Sequence, residues 1–168
     1  MESTIIDNLA RNSEVFKAML SGLPAEEYTF KPQPNKWCLL EIICHLYDEE
    51  REDFRARAKH TLEQQEGSWP TIDPQNWPSQ RNYMQNNYEE TIHKFLQERE
   101  ESIAWLKGLQ NPDWDRFYMH PKVGKVPARL LLKNWLAHDY LHFRQITRTR
   151  YEYLKTLGTE PLDYAGEW

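Results

Sequence analysis

Apolar residues recur at intervals of three and four along four segments of the chain, which is the spacing of amphipathic helices. No segment shows the strict alternation that is typical of a half-buried β-strand. The periodicity predicts four helices, with approximate bounds Ser3–Leu20, Cys38–Leu62, Asn82–Leu109 and Pro127–Leu154. Helices joined by long connections indicate an all-α fold, a four-helix bundle with long crossover connections. The length of 168 residues predicts a single domain over residues 1–168.

The sequence also predicts the conformation or solvent exposure of three stretches outside the apolar rows. Segment 26–36 should be an extended connector, because its prolines disfavour helix at the preceding residues. Segment 67–79 contains Trp69 and Trp77 and is either a functional loop or a crossover that its tryptophans fix to the bundle. The second helix turns polar after Phe54, so its far end should be solvated, as should the charge run at 49–53.

Composition narrows the classes of protein to consider. The net charge is −5 and no long Lys/Arg run occurs, whereas duplex-binding modules present a basic stripe, so we expect no nucleic-acid partner. No apolar run approaches the roughly 20 residues of a membrane span. The first residues lack the regions of a signal peptide, so a cytoplasmic protein is expected. The surplus of Trp and Tyr is compatible with a homodimer.

The two cysteines, Cys38 and Cys44, are six residues apart. On one helix they point in different directions, so we expect reduced structural thiols rather than a disulfide. Cys38 is the one whose thiolate a helix N-terminus could stabilise.

His138 and His142 form an H-x-x-x-H pair on the fourth helix, where residues four apart lie on one face. Two imidazoles at that spacing can reach one metal ion, although the spacing alone is a weak signal. Both lie on the row 131-135-138-142-145, which should face the bundle core. A buried imidazole must have its nitrogens satisfied, either by a metal or by Tyr and Asp groups of the core.

His45 lies on the row 38-42-45-49 of the second helix and should also point inward. Three histidines from two helices can form a metal site with open positions for water or substrate. Zn²⁺ or Ni²⁺ is expected as the single divalent ion, and Fe²⁺ and Mn²⁺ also suit imidazole ligands.

Carboxylates surround this set of histidines. Glu49, one turn after His45, is a candidate fourth ligand, general base, or acceptor for an imidazole N–H. Asp48 and Asp139 point away from the rows and should form salt bridges with Arg51 or Arg144. Of the remaining histidines, His60 and His93 should be incidental, and His120 is the one that could line the pocket.

Two stretches of the chain resemble a known family. They read K-W-C-L-L-E-I-I-C-H-L-Y-D-E-E at 36–50 and N-W-L-A-H-D-Y-L-H-F-R-Q-I at 134–146, and together they resemble the DinB-like superfamily, also called the DinB/YfiT-like metalloenzymes. The resemblance runs from the first helix to about Tyr153. It implies a four-helix bundle whose metal ligands match His45, His138 and His142. One departure is Cys38, where the family commonly has a capping Ser or Thr.

The resemblance also implies a class of reaction. Members with known activity resemble thiol-dependent S-transferases and isomerases that use glutathione, mycothiol or bacillithiol. We therefore expect a metal-dependent enzyme acting on a small molecule, with a low-molecular-weight thiol as co-substrate. Glu49 or a bound water would accept the proton, and Tyr140 or Arg144 would orient an anionic co-substrate. The alternatives are a hydrolase that uses metal-bound hydroxide and a non-catalytic metal-binding stress protein.

Overall fold

The computed structural model describes residues 1–166, so the last two positions of the expected domain lie outside the described residues. Its helices follow the predicted order, with the second helix divided by a π-helical segment at Glu49–Arg55. The α-helices are α1 (Glu2–Leu20), α2 (Ala25–Tyr28), α3 (Leu39–Asp48), α4 (Ala56–Leu62), α5 (Trp77–Gln80), α6 (Tyr88–Gly108) and α7 (Ala128–Leu154). Short 3₁₀ turns occur at Tyr83–Gln85 and Asp163–Ala165. Within residues 1–166, no helix is long and apolar enough to cross a membrane.

Four long helical rods form the bundle, and their buried rows meet in two apolar clusters. One cluster joins α1, α3, α6 and α7 through residues such as Phe16, Ile42 and Phe95. The second lies at the other end, where Leu9 and Trp135 pack near Phe54. The predicted four-helix bundle is therefore confirmed.

The second rod is continuous from Leu39 to Leu62, because the π segment connects α3 to α4 without a break. The expectation that its far end is solvated was wrong, since Ala58, Thr61 and Leu62 are buried. The charge run at 49–53 was also wrongly placed in solvent, because Glu49 and Glu50 are both buried. The physical reason is that α6 and α7 pack against this rod, together with the connection that precedes α7, and shield these side chains from water.

Helix α3 begins after Cys38, a residue type that caps helices poorly, and a neighbouring side chain provides part of the cap. Glu41 accepts a hydrogen bond from the backbone N–H of Cys38 at 3.0 Å, which is one half of a capping box. Burial raises the pKa of Cys38 to about 11 and that of Cys44 to about 12. The idea of a stabilised thiolate at Cys38 was therefore wrong, and both thiols are free and buried.

A two-stranded antiparallel hairpin, which the sequence pattern did not predict, occupies the connection before α7. Its strands are β1 (Phe117–His120) and β2 (Gly124–Pro127), with Tyr118 paired to Val126. Tyr118 stacks on Trp69 at 4.3 Å and meets the His60 ring edge-on at 5.5 Å. The hairpin and the 67–79 loop thus cover the end of α4.

The 67–79 loop is fixed to the bundle by its tryptophans, in agreement with the crossover alternative. The Trp69 indole N–H donates to the Thr61 hydroxyl at 3.3 Å, and Trp77 is buried in the first apolar cluster. Helix α6 begins at Tyr88, six residues later than expected, after a 3₁₀ turn. Segment 26–36 likewise departs from a purely extended connector, because α2 occupies its beginning.

Candidate metal centre

Three histidines from two helices converge at one point of the bundle. His45 comes from α3, and His138 and His142 come from α7, and one ring nitrogen of each lies within 4.8 Å of the others. The Nε2 atoms of His138 and His142 are 3.0 Å apart. In the part of the chain that the structure describes, this cluster consists of the three histidines that the sequence singled out.

The register of α7 differs by about one residue from the predicted core row. Its buried positions are Ala128, Leu132, Trp135, Asp139, His142, Ile146 and Thr149. His142 therefore lies in the core, as expected, whereas His138 is only half-buried at its margin. The hydrophobic pattern assigned the core position to His138, because its neighbour Asp139 is charged. In the structure Asp139 occupies that position.

Aromatic rings pack against two of the three imidazoles. The Trp37 ring lies 4.9 Å from that of His45, and the Phe54 ring lies 5.0 Å from that of His138. Phe54 is in turn stacked on Trp135 at 5.7 Å. His45 and His142 are themselves buried, so an unpaired polar nitrogen on either ring would be costly.

The Nδ1 atoms of His45 and His142 are buried and have no hydrogen-bond partner. Among the described residues, no tyrosine or aspartate hydrogen-bonds to any of the three rings. The structure therefore contradicts the alternative in which tyrosine or aspartate side chains hydrogen-bond to the histidines of the core. The orphaned buried nitrogen of His45 calls for a ligand, whereas the atom by which His142 faces the cluster is its Nε2.

Burial keeps all three rings neutral. Desolvation lowers the pKa of His45 to about 3, that of His138 to about 2 and that of His142 to about 4. A neutral imidazole retains the lone pair that a metal ligand needs. The mutual proximity of the rings adds to the effect for His45 and His138, because a second positive charge would be repelled.

The residues present fit a divalent ion. Two nitrogens bound at about 2.0 Å to one tetrahedral ion lie about 3.3 Å apart, close to the 3.0 Å between His138 and His142. Three protein ligands leave a position free for water or substrate, which distinguishes catalytic from structural zinc sites.

Glu49 is a buried carboxyl one turn beyond His45, at the start of the π segment. Burial, followed by repulsion from Asp53, raises the pKa of Glu49 to about 8. Asp53 itself is paired with Arg57 at 2.8 Å. Glu49 is thus a group that can hold or release a proton near neutral pH, and it is not a member of the histidine cluster.

A buried charged network lies directly beneath the site, and sequence reasoning missed it. Arg99 of α6 donates to both carboxylate oxygens of Asp139 at 2.8 Å and pairs with Glu50 at 2.9 Å. Asn12 donates a further bond to Asp139, and the Trp135 indole donates to Glu50, each at 2.9 Å. The available signal was Arg99 itself, the one charged residue in the row 88-92-95-99-102-106 of α6.

This network corrects one of the two predicted salt bridges. Asp139 pairs with Arg99 and not with Arg144, because Asp139 and Arg99 are both buried in the core whereas Arg144 is exposed. Asp48 pairs with Arg51 at 2.8 Å, as expected, and also accepts a bond from the Tyr83 hydroxyl.

An open cavity of about 910 Å³ adjoins the histidine cluster, and His142 contributes to its wall. The side chain of Arg144 also lines this cavity. Tyr140 is half exposed on α7 and is not among the lining residues. His120 is held in the turn of the hairpin, where its Nδ1 accepts bonds from the backbone N–H groups of Lys122 and Val123, and it does not line the cavity.

Comparison with known proteins gives a match to a family model and matches to solved structures. The model of a family described as the DinB superfamily matches residues 8–146. The solved structure of YfiT from Bacillus subtilis is similar, with a TM-score of 0.77 at 15% sequence identity. That similarity covers 88% of this chain and 85% of the YfiT chain, and YfiT is described as a probable metal-dependent hydrolase with an unusual four-helix bundle topology. A search of curated proteins finds no significant match.

Proposed function

The chain belongs to the DinB superfamily, and from this premise we propose that it is a metal-dependent enzyme acting on a small molecule. The observation that carries the proposal is the convergence of three neutral imidazoles beside an open cavity. A purely structural site would be closed by a fourth protein ligand, whereas this cluster comprises three. The description of YfiT as a probable metal-dependent hydrolase is consistent with this class.

His45, His138 and His142 would hold the ion, with Zn²⁺ or Ni²⁺ proposed ahead of Fe²⁺ and Mn²⁺. A divalent ion bound there would supply Lewis acidity, lowering the pKa of a thiol or water molecule. The buried Phe54 ring would shield the His138 side of the site from bulk water, which strengthens electrostatic interactions there.

Glu49 is proposed as the group that exchanges a proton with the nucleophile. Its burial and raised pKa of about 8 match the requirement that a general acid or base be poised near the working pH. Arg144 is proposed to orient an anionic substrate from the cavity wall.

We propose transfer of a low-molecular-weight thiol as the leading reaction. The two cysteines of the chain are buried and have raised pKa values, so a sulfur nucleophile would have to come from a co-substrate. Its sulfur would form a bond to an electrophilic carbon, its proton would pass to Glu49, and the displaced group would leave with the bonding electrons.

Hydrolysis is the second candidate, and it is favoured by the description of YfiT. In this version water takes the place of the thiol, and the same histidines and Glu49 serve the same roles. The architecture accommodates both reactions, because the nucleophile in each case is a small molecule that enters from the cavity.

The central test is the metal content of the purified protein and of two variants, His138→Ala and His93→Ala. His93 is an exposed histidine on α6, far from the cluster, so it is a matched control for the loss of one imidazole. We expect about one divalent ion per chain in the wild type and in His93→Ala, and a large loss in His138→Ala. Equal metal in all three proteins would refute the metal centre.

A second experiment separates the two reactions. The metal-loaded protein is incubated with a model electrophile and a set of thiols, and conjugates are sought by mass spectrometry. In parallel it is incubated with esters and amides without added thiol. Metal-dependent conjugates support thiol transfer, metal-dependent turnover without thiol supports hydrolysis, and no turnover in either arm with metal bound contradicts both.

A further inference from the structure

The cavity beside the histidine cluster has a definite charge. Its walls are segment 32–37 and the face of α7 between Leu141 and Glu152. Three of its lining residues are cationic, namely Lys36, Arg144 and Arg148. The one lining carboxylate, Glu152, is paired at 3.0 Å with Lys155, so it does not neutralise them. A chain with a net charge of −5 thus presents a locally positive cavity.

Arg144 and Arg148 differ from the other arginines of the described chain. Each other arginine within residues 1–166 donates a hydrogen bond or forms an ion pair with a protein group. Arg144 and Arg148 have neither within those residues. Both are exposed, so their guanidinium groups remain available to a partner from solution.

The two arginines are four residues apart on α7, so they lie on one face of the helix, one turn apart. A guanidinium presents its donors as a rigid fork that matches a carboxylate or a phosphate. Lys36 faces the same cavity from the connector on the other side. The neighbouring Trp37 both lines the cavity and contacts the His45 ring, which links the positive wall to the metal centre.

We propose that this cavity selects substrates that carry a carboxylate or phosphate group, bound by Arg144 and Arg148 with Lys36 opposite. The anionic group would be held on the cavity wall while the reacting part of the molecule extends toward His142. The inference rests on the proposed function for the direction of binding, but anion binding itself can be measured without any reaction.

The experiment measures anion binding by calorimetry with succinate, inorganic phosphate and neutral succinamide as probes. It uses the protein as purified and four variants: Arg144→Gln, Arg148→Gln, the double variant, and Lys133→Gln. Lys133 is an exposed cation on α7 that does not line the cavity, so it controls for the loss of one positive charge on the same helix. Circular dichroism and metal content verify that each variant is folded and loaded.

We expect succinate or phosphate to bind the wild type, with an affinity that falls as salt is raised. Each single arginine variant should weaken binding by on the order of tenfold, since hydrogen bonds to charged groups are lost. The double variant should abolish measurable binding, and Lys133→Gln should leave it unchanged. The tighter of the two anions identifies the recognised group as a carboxylate or a phosphate.

Four results would overturn the inference: no binding of either anion, equal binding of succinamide, unchanged affinity in the double variant, or an equal loss in Lys133→Gln. Repeating the titration after dialysis against a chelator separates the inference from the proposed function. Binding that persists without metal and depends on the arginines supports the cavity even if the metal centre fails. Binding that vanishes with the metal and ignores the arginines assigns the anion to the metal and refutes the cavity.

Discussion

At the scale of the residue, Arg99 is the side chain on which the interior of the bundle depends. It is almost fully buried and lies between two buried carboxylates, those of Glu50 and Asp139. The backbone carbonyl of Leu9 accepts a further bond from it. Charges in a protein interior are tolerated only when they are paired in this way, so loss of the central cation has a large effect.

We predict that Arg99→Met destabilises the protein by about 3–5 kcal/mol, because it leaves two carboxylates buried without a cation. The measurement is urea-induced unfolding followed by circular dichroism. The triple variant Arg99→Met, Glu50→Gln, Asp139→Asn should recover part of the loss, since it removes the uncompensated charges. Arg11→Met, at an exposed arginine of α1, should change stability little. An Arg99→Met protein as stable as the wild type would contradict the role of this network.

Glu49 leads to a prediction about pH. Its pKa is about 8 in the folded protein and 4.5 when exposed, so the unfolded chain loses this proton first as the pH rises. Its contribution to stability is therefore fully present below pH 4.5 and is lost as the pH rises through 8. Because Glu49→Gln stays uncharged, it should not lose stability in this way, and its stability relative to the metal-free wild type should rise by about 3 kcal/mol from pH 5 to pH 8.

The matched control for this titration is Glu100→Gln, at an exposed carboxylate of α6. Urea midpoints of the metal-free proteins at the two pH values are the measurement. If the difference between Glu49→Gln and the wild type were the same at pH 5 and pH 8, the raised pKa of Glu49 would be wrong.

At the scale of the element, the helices are delimited by local interactions that periodicity alone does not locate. Helix α6 begins at Tyr88 because the Asn87 side chain accepts a bond from the backbone N–H of Glu90 at 3.0 Å. Before it, Asn82 adopts a left-handed conformation with φ of 49°, which stops any continuous helix from that point. The apolar spacing extends backwards beyond Asn87, and that is why it predicted a longer helix.

We predict that Asn87→Ala destabilises the protein by about 1 kcal/mol, because the first turn of α6 loses its cap. Asn87→Asp should retain most of the stability, since aspartate is an equally good capping residue. Gln97→Ala, at an exposed position inside α6, should have no such cost. Unfolding midpoints in urea provide the measurement, and an Asn87→Ala midpoint equal to that of the wild type would show that the cap is not needed.

The π segment Glu49–Arg55 is another feature at this scale. It lies between His45 and the part of α4 that the hairpin covers, and π segments recur at functional sites in other proteins. Here it contains both Glu49 and Phe54, one a candidate proton carrier and the other a wall of the metal centre. The wider turn therefore shapes the site as well as the helix.

At the scale of the whole molecule, the metal centre should couple binding to stability. The ligands come from α3 and α7, which are about ninety residues apart in sequence, so the unfolded chain has no preformed site. A ligand that binds only the folded state raises its stability by about 4 kcal/mol at a concentration 1,000-fold above its dissociation constant.

We therefore predict that Zn²⁺ or Ni²⁺ raises the melting temperature of the metal-free protein, and that the rise is lost in His138→Ala. His93→Ala should show the wild-type rise, because its imidazole lies outside the cluster. Differential scanning calorimetry with and without a chelator is the measurement. A rise of the same size in His138→Ala would mean that the stabilising ion binds elsewhere.

The expectations of a cytoplasmic location, a homodimer and the absence of a nucleic-acid partner stay predictions. So does the role of Tyr140, which is half exposed and outside the cavity lining.

The amino-acid sequence by itself determined the four helical rods and the candidate ligands, because both depend on local spacing. A residue's neighbours at i+3 and i+4 are known before the chain folds, so His138 and His142 could be placed together and His45 on the inward row of the second helix, and the family resemblance agreed with all three. Tertiary structure alone decided which charged residues are buried. The sequence pattern placed Glu50 in solvent and Asp139 in a salt bridge with Arg51 or Arg144, whereas the folded chain brings Arg99, from another helix, between them. It likewise decided that two arginines of α7 stay unpaired beside the metal centre, because ion pairing depends on neighbours that only the folded chain brings into contact.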